Sequence, residues 1–386
     1  RTGGHDLIVL YGVGDHGGGP TIEMLQRAED LRRVPTFPAM RYSHPDSAVT
    51  ALRTSLGDSA FPAWKDELYL EYHRGTYTTQ ARQKWSLARS EAMLRTAEAL
   101  ATFDTASYPR QRLEGLWRRT LFNQFHDILP GSSIQQVYLD ANAQYDTVRA
   151  GLDTLTSRSF AGLRARMDTR PPRGGQVPVV VFNPLTWTRS AFVRTARAEG
   201  DTVLFAARNV PALGAQVFWI PRAGSPPVAS PLLPPTVGAN WIGNIALRVE
   251  VDTTTGTITR IYDKLNRREV LAPGARGNVL EVFGDLPRTW DAWDIGYTGE
   301  RSEVTQTSGV TRYADEVEAR LSFTRRWGAS SVTQTLVLGR ESPFLEVRNE
   351  ADWHETHKLL KVGFTLGLRA DSATYAIPYG TIGRSG

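Results

Sequence analysis

Two short stretches carry the side chains that could do chemistry. The first, "YGVGDHGGGPT" over residues 11–21, sets Asp15 inside a run of glycines that follows the apolar segment 7–11. Gly17, Gly18 and Gly19 would let the backbone approach a ligand with no side chain in the way. Pro20 suits the first turn of a helix, where its missing N–H is no loss. Asp15 is thus expected at the carboxyl end of a strand, where α/β folds place ligands, ready to donate a proton or bind hydroxyls. The second stretch, "NQFHDILPGSS", covers residues 123–133. On a helix, Asn123, His126 and Asp127 fall within an arc of roughly 100°. Leu113, Leu116, Trp117, Leu121, Phe125 and Ile128 occupy the adjoining apolar arc. This spacing predicts a helix over 110–128, stopped at Pro130-Gly131, with the polar trio at the margin of its buried face. His126 and Asp127 would lie in its last turn, where unpaired carbonyls and the helix dipole favour positive charge. A divalent cation or a cationic transition state would be stabilised there.

Other assignments are weaker. Gly12-x-Gly14-x-x-Gly17 matches the dinucleotide fingerprint of a nicotinamide-dependent oxidoreductase. That fold also needs a second parallel strand ending in an acid about 20 residues on. The stretch "RVPTFPAMRYSHPD" offers prolines instead, and Asp46 follows His44-Pro45 rather than an apolar run. One imidazole cannot hold zinc tightly, since catalytic sites use three protein ligands or more. His354 and His357 in "DWHETHK" lack the full His-Glu-x-x-His pattern. In a strand, residues three apart point to opposite faces, so both are expected to be structural. The residues themselves support a hydroxyl-rich ligand and leave a metal open.

The elements that must position these residues divide into three regions. An α/β fragment comes first, with a strand over 7–11, a helix over 22–33, and short strands at "TFPAMRYS" and "ELYLEYH". Helices follow. Residues 78–103 are amphipathic and rich in good helix formers. The helix over 110–128 comes next, and a third starts at Ser132 or Ser133, where Ser-x-x-Gln reads as a capping box. Ile134, Tyr138, Ala141, Tyr145, Val148, Leu152 and Leu155 form a seam of alternating +4 and +3 steps along that third helix. Three such helices with short connections predict an antiparallel bundle. After "RPPRGGQVP" come β-branched runs such as "VPVVVFN", "IALRVEV" and "LEVRNEA", punctuated as in an all-β sandwich. "SPPVASPLLPPT" reads as a proline-rich connection between β segments.

Composition narrows the classes. The chain has 386 residues, 41% hydrophobic and 22% charged, with a formal charge of +5. That length suits two or three domains. Its arginines are scattered, without the basic stripe of a nucleic-acid binder. The absence of cysteine excludes disulfides, thiolate metal sites and a cysteine nucleophile. No apolar run approaches the ~20 residues of a membrane helix. No secretory signal is visible at "RTGGHD", so no membrane association is expected and a cytoplasmic location is favoured.

In order along the chain, these stretches resemble the family 38 glycoside hydrolases, the zinc-dependent retaining α-mannosidases. "YGVGDHGGGPT" is similar to the family's glycine-rich segment, and "ELYLEYHRGTYTTQARQK" to the start of its middle helical domain. "LFNQFHDILPGSSI" is similar to its most specific motif. "VFNPLTWTR", "LRVEVDTTTGTITRIYDKLNRREVL", "DAWDI" and "DWHETHKLLKVGF" match the β-domain in order. The resemblance covers essentially the whole chain. It implies a multidomain α+β protein: part of an α/β catalytic domain over 1–72, a three-helix bundle over 73–168, and a β-sandwich region over 179–386. It implies zinc-assisted hydrolysis of terminal α-D-mannosyl residues in oligosaccharides. His126 would be a zinc ligand, and Asp127 would bind mannose hydroxyls beside the metal. Asp15 lies in the segment that carries the acid/base carboxylate. In the family, Zn²⁺ coordinates the mannose 2- and 3-hydroxyls while an aspartate attacks the anomeric carbon.

The family's His-x-Asp zinc pair and nucleophilic aspartate belong to an N-terminal segment, and no His-x-Asp precedes Asp15 here. The chain is therefore expected to be an internal piece that does not hydrolyse mannosides by itself. A mannose-containing oligosaccharide is the expected partner, and a homo-oligomer stays open. A second reading is a non-catalytic carbohydrate-binding protein, with Trp290 and Trp293 stacking on sugars.

Overall fold

The computed structural model describes residues 7–14, 18–57, 63–64, 71–103, 108–196, 200, 202–222, 224, 232–377 and 379–385. The chain divides into two compact units, Arg1–Leu70 and Glu71–Gly386.

In the first unit two helices form. Helix α1 (Ile22–Arg32) starts where the Thr21 hydroxyl accepts the Met24 N–H at 3.2 Å, with Glu23 in its first turn and Arg32 in its last. Both charges oppose the helix dipole. Helix α2 (Pro45–Leu56) is entered through Pro45 and Asp46 and ends at Gly57, whose φ of +76° an L-residue would resist. Neither helix buries a residue. The expected strand over 7–11 forms no ladder; the nearest pairing is a single bridge between Val13 and Gly18. An extended segment becomes a strand only when a neighbour takes up its N–H and C=O groups. "TFPAMRYS" likewise carries no strand. The expected strand "ELYLEYH" falls on residues 67–70, outside the described residues, and on the 3₁₀ turn Glu71–His73.

The second unit opens with three longer helices: α3 (Ala81–Ala101), α4 (Arg110–Phe122) and α5 (Gln135–Ala165). Leu94, Ala97 and Ala101 of α3, Leu113 and Leu116 of α4, and Val148, Leu152 and Leu155 of α5 make one core. The seam expected along α5 is present from Tyr138 to Leu155 and runs on to Leu163. Ile134 departs from it: it stands before the helix as the N-cap and is 74% exposed. No side chain caps α5, so the expected capping box does not form. The serines that would have closed it are bonded to Asp127 instead.

Beyond α5 every ladder is antiparallel. Two-stranded ladders join Gln176–Asn183 to Gly214–Pro221 and Arg189–Ala196 to Thr202–Val210. A five-stranded sheet includes Trp241–Gly243, Leu247–Asp252 and Thr257–Asp263, and a four-stranded sheet centres on Glu318–Trp327 and Ser330–Gly339. Alternate residues of those two central strands are buried, as the two-residue period requires. Ile242, Val249, Val251 and Ile258 of the first sheet share a core with Leu321, Phe323, Leu336 and Leu338 of the second. Between Gly256 and Asn278 lies a fully buried Arg325, whose guanidinium donates to both carbonyls and lies over the Phe323 ring. Burial pulls its pKa down to about 10. Among the described residues no helix is long and apolar enough to cross a membrane.

Candidate active site

Helix α4 ends earlier than its apolar pattern suggests, at Phe122, and the chain continues to Gly131 in turns. Two local causes act. The Asn123 carboxamide donates back to the Arg119 carbonyl at 2.9 Å and across to Gln144 of α5 at 3.0 Å, so it serves the helix end rather than a next turn. Pro130 then disfavours helical backbone at Leu129. The Phe125 carbonyl accepts the N–H groups of Ile128 (2.9 Å) and Leu129 (3.1 Å), closing a turn around His126 and Asp127. Gly131 leaves the turn at φ +95°.

His126 is consequently not at the edge of a buried helical face, as the sequence predicts. Its side chain is 78% exposed, beyond the last helical carbonyls, with its ring 4.2 Å from that of Phe125. Its Nε2 lies 3.5 Å from Asp127 Oδ2. Asn123 is buried as expected, and Asp127 is half-buried. Asp127 is held firmly. Its Oδ1 accepts the Ser132 hydroxyl at 3.1 Å, and its carbonyl accepts the hydroxyls of Ser133 (2.9 Å) and Tyr138 (3.3 Å). One carboxylate oxygen is thus fixed from α5's side, and the other is turned toward the imidazole.

Behind this turn sits a residue that the spacing of acids and histidines does not reveal. Lys84, in the first turn of α3, donates to the carbonyls of Thr79, Leu129 (2.9 Å) and Pro130 (3.3 Å). Burial lowers its pKa below the ordinary lysine value. The only sequence signal is a cation on the half of α3 that must face its neighbours.

Thr79 also meets the β region. The Gly75 N–H donates to the Trp293 carbonyl at 2.7 Å, and the Thr79 hydroxyl donates to Ala292 at 3.0 Å. The Trp293 ring stands edge-on to His73 with centroids 4.9 Å apart, so it packs between elements. Trp290, at φ +62°, is exposed. Of the two tryptophans of the second reading, Trp290 is thus open to solvent and Trp293 is packed against His73. His354 and His357 lie between the strands Glu346–Asp352 and Lys358–Gly363, not within one. His354 pairs with Asp352 at 2.9 Å, and His357 turns the chain at φ +53°.

Asp15 and Gly17 lie outside the described residues. The glycine-rich stretch leads into α1, and no parallel ladder of a dinucleotide fold occurs among the described residues. Among them, no group of three or more His, Cys, Asp or Glu side chains is placed to hold a metal. His126 and Asp127 offer an exposed imidazole and, 3.5 Å from it, the Oδ2 carboxylate oxygen. That donor set fits part of a zinc site, not a whole one.

Two family models match the chain: the alpha mannosidase middle domain over residues 71–163 and the glycosyl hydrolases family 38 C-terminal domain over residues 242–385. Alpha-mannosidase 2C1 of Mus musculus is 35% identical over 393 residues, covering 97% of this chain and 36% of that protein. The alpha-mannosidase of Saccharomyces cerevisiae is 26% identical over 405 residues, covering 97% of this chain and 34% of that protein. The chain thus spans about a third of the length of these curated relatives. Among solved structures, an alpha-mannosidase from Enterococcus faecalis superposes with a TM-score of 0.73 at 14% identity, over 93% of this chain and 51% of that one. At that identity the likeness speaks for the fold.

Proposed function

We propose that the chain is part of a zinc-assisted retaining α-mannosidase of the family 38 glycosyl hydrolases, whose middle-domain and C-terminal-domain models match residues 71–163 and 242–385. The substrate would be a terminal α-D-mannosyl residue of an oligosaccharide or glycan. The observation that carries this is the His126–Asp127 turn, an exposed imidazole beside a braced carboxylate inside the region matched to the alpha mannosidase middle domain. The mixed order of helices and then antiparallel sheets supports part of a catalytic domain over 1–72, a three-helix bundle over 73–168 and a β-sandwich region over 179–386.

Within that assignment each group has a role it can perform. His126 would supply one imidazole nitrogen to zinc. Asp127 can accept hydrogen bonds from sugar hydroxyls beside it, because Ser132 orients its carboxylate. When bound, zinc supplies positive charge that binds and orients vicinal hydroxyls of the sugar. Asp15 is the candidate acid/base. Retaining glycosidases need two carboxyl groups about 5–5.5 Å apart; in this reading Asp15 is one of them and the nucleophile is a separate aspartate.

The test is hydrolysis of an aryl α-mannoside by the intact enzyme before and after chelation. Activity lost to the chelator and restored by zinc supports the assignment. Full activity in metal-free enzyme, or no activity on any α-mannoside, removes it.

A further inference from the structure

We propose that Lys84 is a positioning residue for the candidate site, fixing the turn that presents His126 and Asp127 by gathering the carbonyls of Thr79, Leu129 and Pro130 around its ammonium group. This rests on the assignment of that turn to the active site. Three observations converge on it.

The first is chemical. A lysine ammonium has three donors and no acceptor, and here they go to three carbonyl oxygens, with no carboxylate partner among the described residues. A lysine that served only solubility or a surface ion pair would not leave water for three neutral acceptors. The second is topological. Leu129 is the residue whose N–H closes the turn onto Phe125, so holding its carbonyl holds the far end of the loop that encloses His126 and Asp127. The ammonium joins that loop to the start of α3 across 45 residues of sequence. The third is steric. Gly131 approaches Thr79 so closely that a Cβ there would lie 2.7 Å from the Thr79 oxygen, at a φ that already disfavours side chains. The two segments are thus pressed together at the point where Lys84 binds both, and the carbonyls it faces would otherwise meet each other unpaired.

The bracing extends further. Thr79 is also bonded to Gly75 and Ala292, and Gly75 to Trp293, so the segment that Lys84 grips is itself seated on the β region. A change at Lys84 should therefore loosen the His126 turn locally while the helical core of Leu94, Val148 and Leu152 stays packed.

Hydrogen exchange on the full 386-residue chain tests the bracing without any metal or substrate. In Lys84→Met, amides of residues 125–133 should exchange at least tenfold faster, and those of the α3 and α5 cores should change less than twofold. Lys84→Arg, which keeps the charge, should recover part of the protection. Unchanged exchange at 125–133, or equal acceleration everywhere, overturns the proposal. Should Lys84→Met fail to fold, the wild-type chain supplies the readout, since it has five lysines to tell apart. The Lys84 ζ-ammonium should give a slowly exchanging ¹⁵N–¹H signal at neutral pH, and its loss to solvent exchange like an exposed lysine's would overturn the proposal. In the intact enzyme, Lys84→Met should lower kcat/KM on an α-mannoside about tenfold. Local loosening with unchanged kinetics would overturn the positioning role and count against the turn as the site, while leaving the bracing itself established.

Discussion

Residues 7–57 and helices α3 to α5 have similar ingredients and opposite outcomes. Both are rich in leucine, alanine and arginine, and both contain well-signalled helices. Yet α1 and α2 bury nothing, whereas α5 alone buries eight residues. Leu7 and Leu10 are each 86% exposed, while Leu94, Val148 and Leu152 are fully buried. Caps and dipoles decide where a helix starts and stops. Only a facing apolar surface turns its leucines into a core.

The largest effect that would sharpen this contrast is Leu152→Ala. Removing a fully buried side chain from the core of α5 should cost about 2–5 kcal/mol in urea unfolding. The matched change Leu10→Ala should fall within about 0.5 kcal/mol of wild type. Comparable losses at the two sites would abolish the distinction.

Next comes the β region, where a glycine packs against the buried arginine. At Gly256, φ is +70° and an added Cβ would meet Arg325 Nε at 2.5 Å and Phe323 Cε2 at 2.6 Å. Gly256→Ala should destabilise by about 1–3 kcal/mol through overpacking. A neutral result would mean that the buried arginine can move aside.

A pH effect should follow from Asp315. Burial alone would raise its pKa, but hydrogen bonds from Tyr313, from the N–H groups of Val317 and Glu318, and from Arg194 outweigh it and leave the carboxyl below its ordinary value. A carboxylate whose folded pKa is depressed adds stability above its unfolded pKa, and that stability is lost as pH falls through the folded value. Melting temperatures should therefore drop below about pH 4, and Asp315→Asn should show a shallower acid limb. An unchanged limb would show that these partners together do not stabilise the ionised Asp315.

The smallest effect belongs to the first unit. Thr21→Ala removes the N-cap of α1 and should cost that helix about 1 kcal/mol. Since α1 buries no residue, the change should appear as faster amide exchange at Met24 and Leu25 and not as a lower global melting temperature. A clear fall in the global midpoint would show that α1 is coupled to a core.

What the sequence made legible follows the same division. The α5 seam and the run that becomes Leu247–Asp252 could be read because one periodicity governs a whole buried face, and Gln176–Asn183 and Thr257–Asp263 because they are rich in β-branched residues. The end of α4 could not. Apolar spacing continues to Ile128, but the Asn123 side chain and Pro130 act locally and stop the helix six residues sooner. Ser132 and Ser133 carry the right residues for a capping box, and tertiary partners on Asp127 took their hydroxyls. Pro45-Asp46 was a sufficient start signal for α2, in a stretch that reads from sequence as short strands and prolines. Within the candidate site, His126 and Asp127 were legible as a motif. Lys84 was not, because its role depends on carbonyls 45 and 46 residues away, which no spacing rule anticipates.

The zinc content of the purified intact enzyme, wild type against His126→Ala, examines the mannosidase assignment at its centre. One tightly held zinc per chain in the wild type, lost or markedly weakened in the variant with the fold retained by circular dichroism, is the expected result. Undiminished zinc in His126→Ala would mean that this imidazole is not a ligand and that the turn after α4 is not where the metal binds.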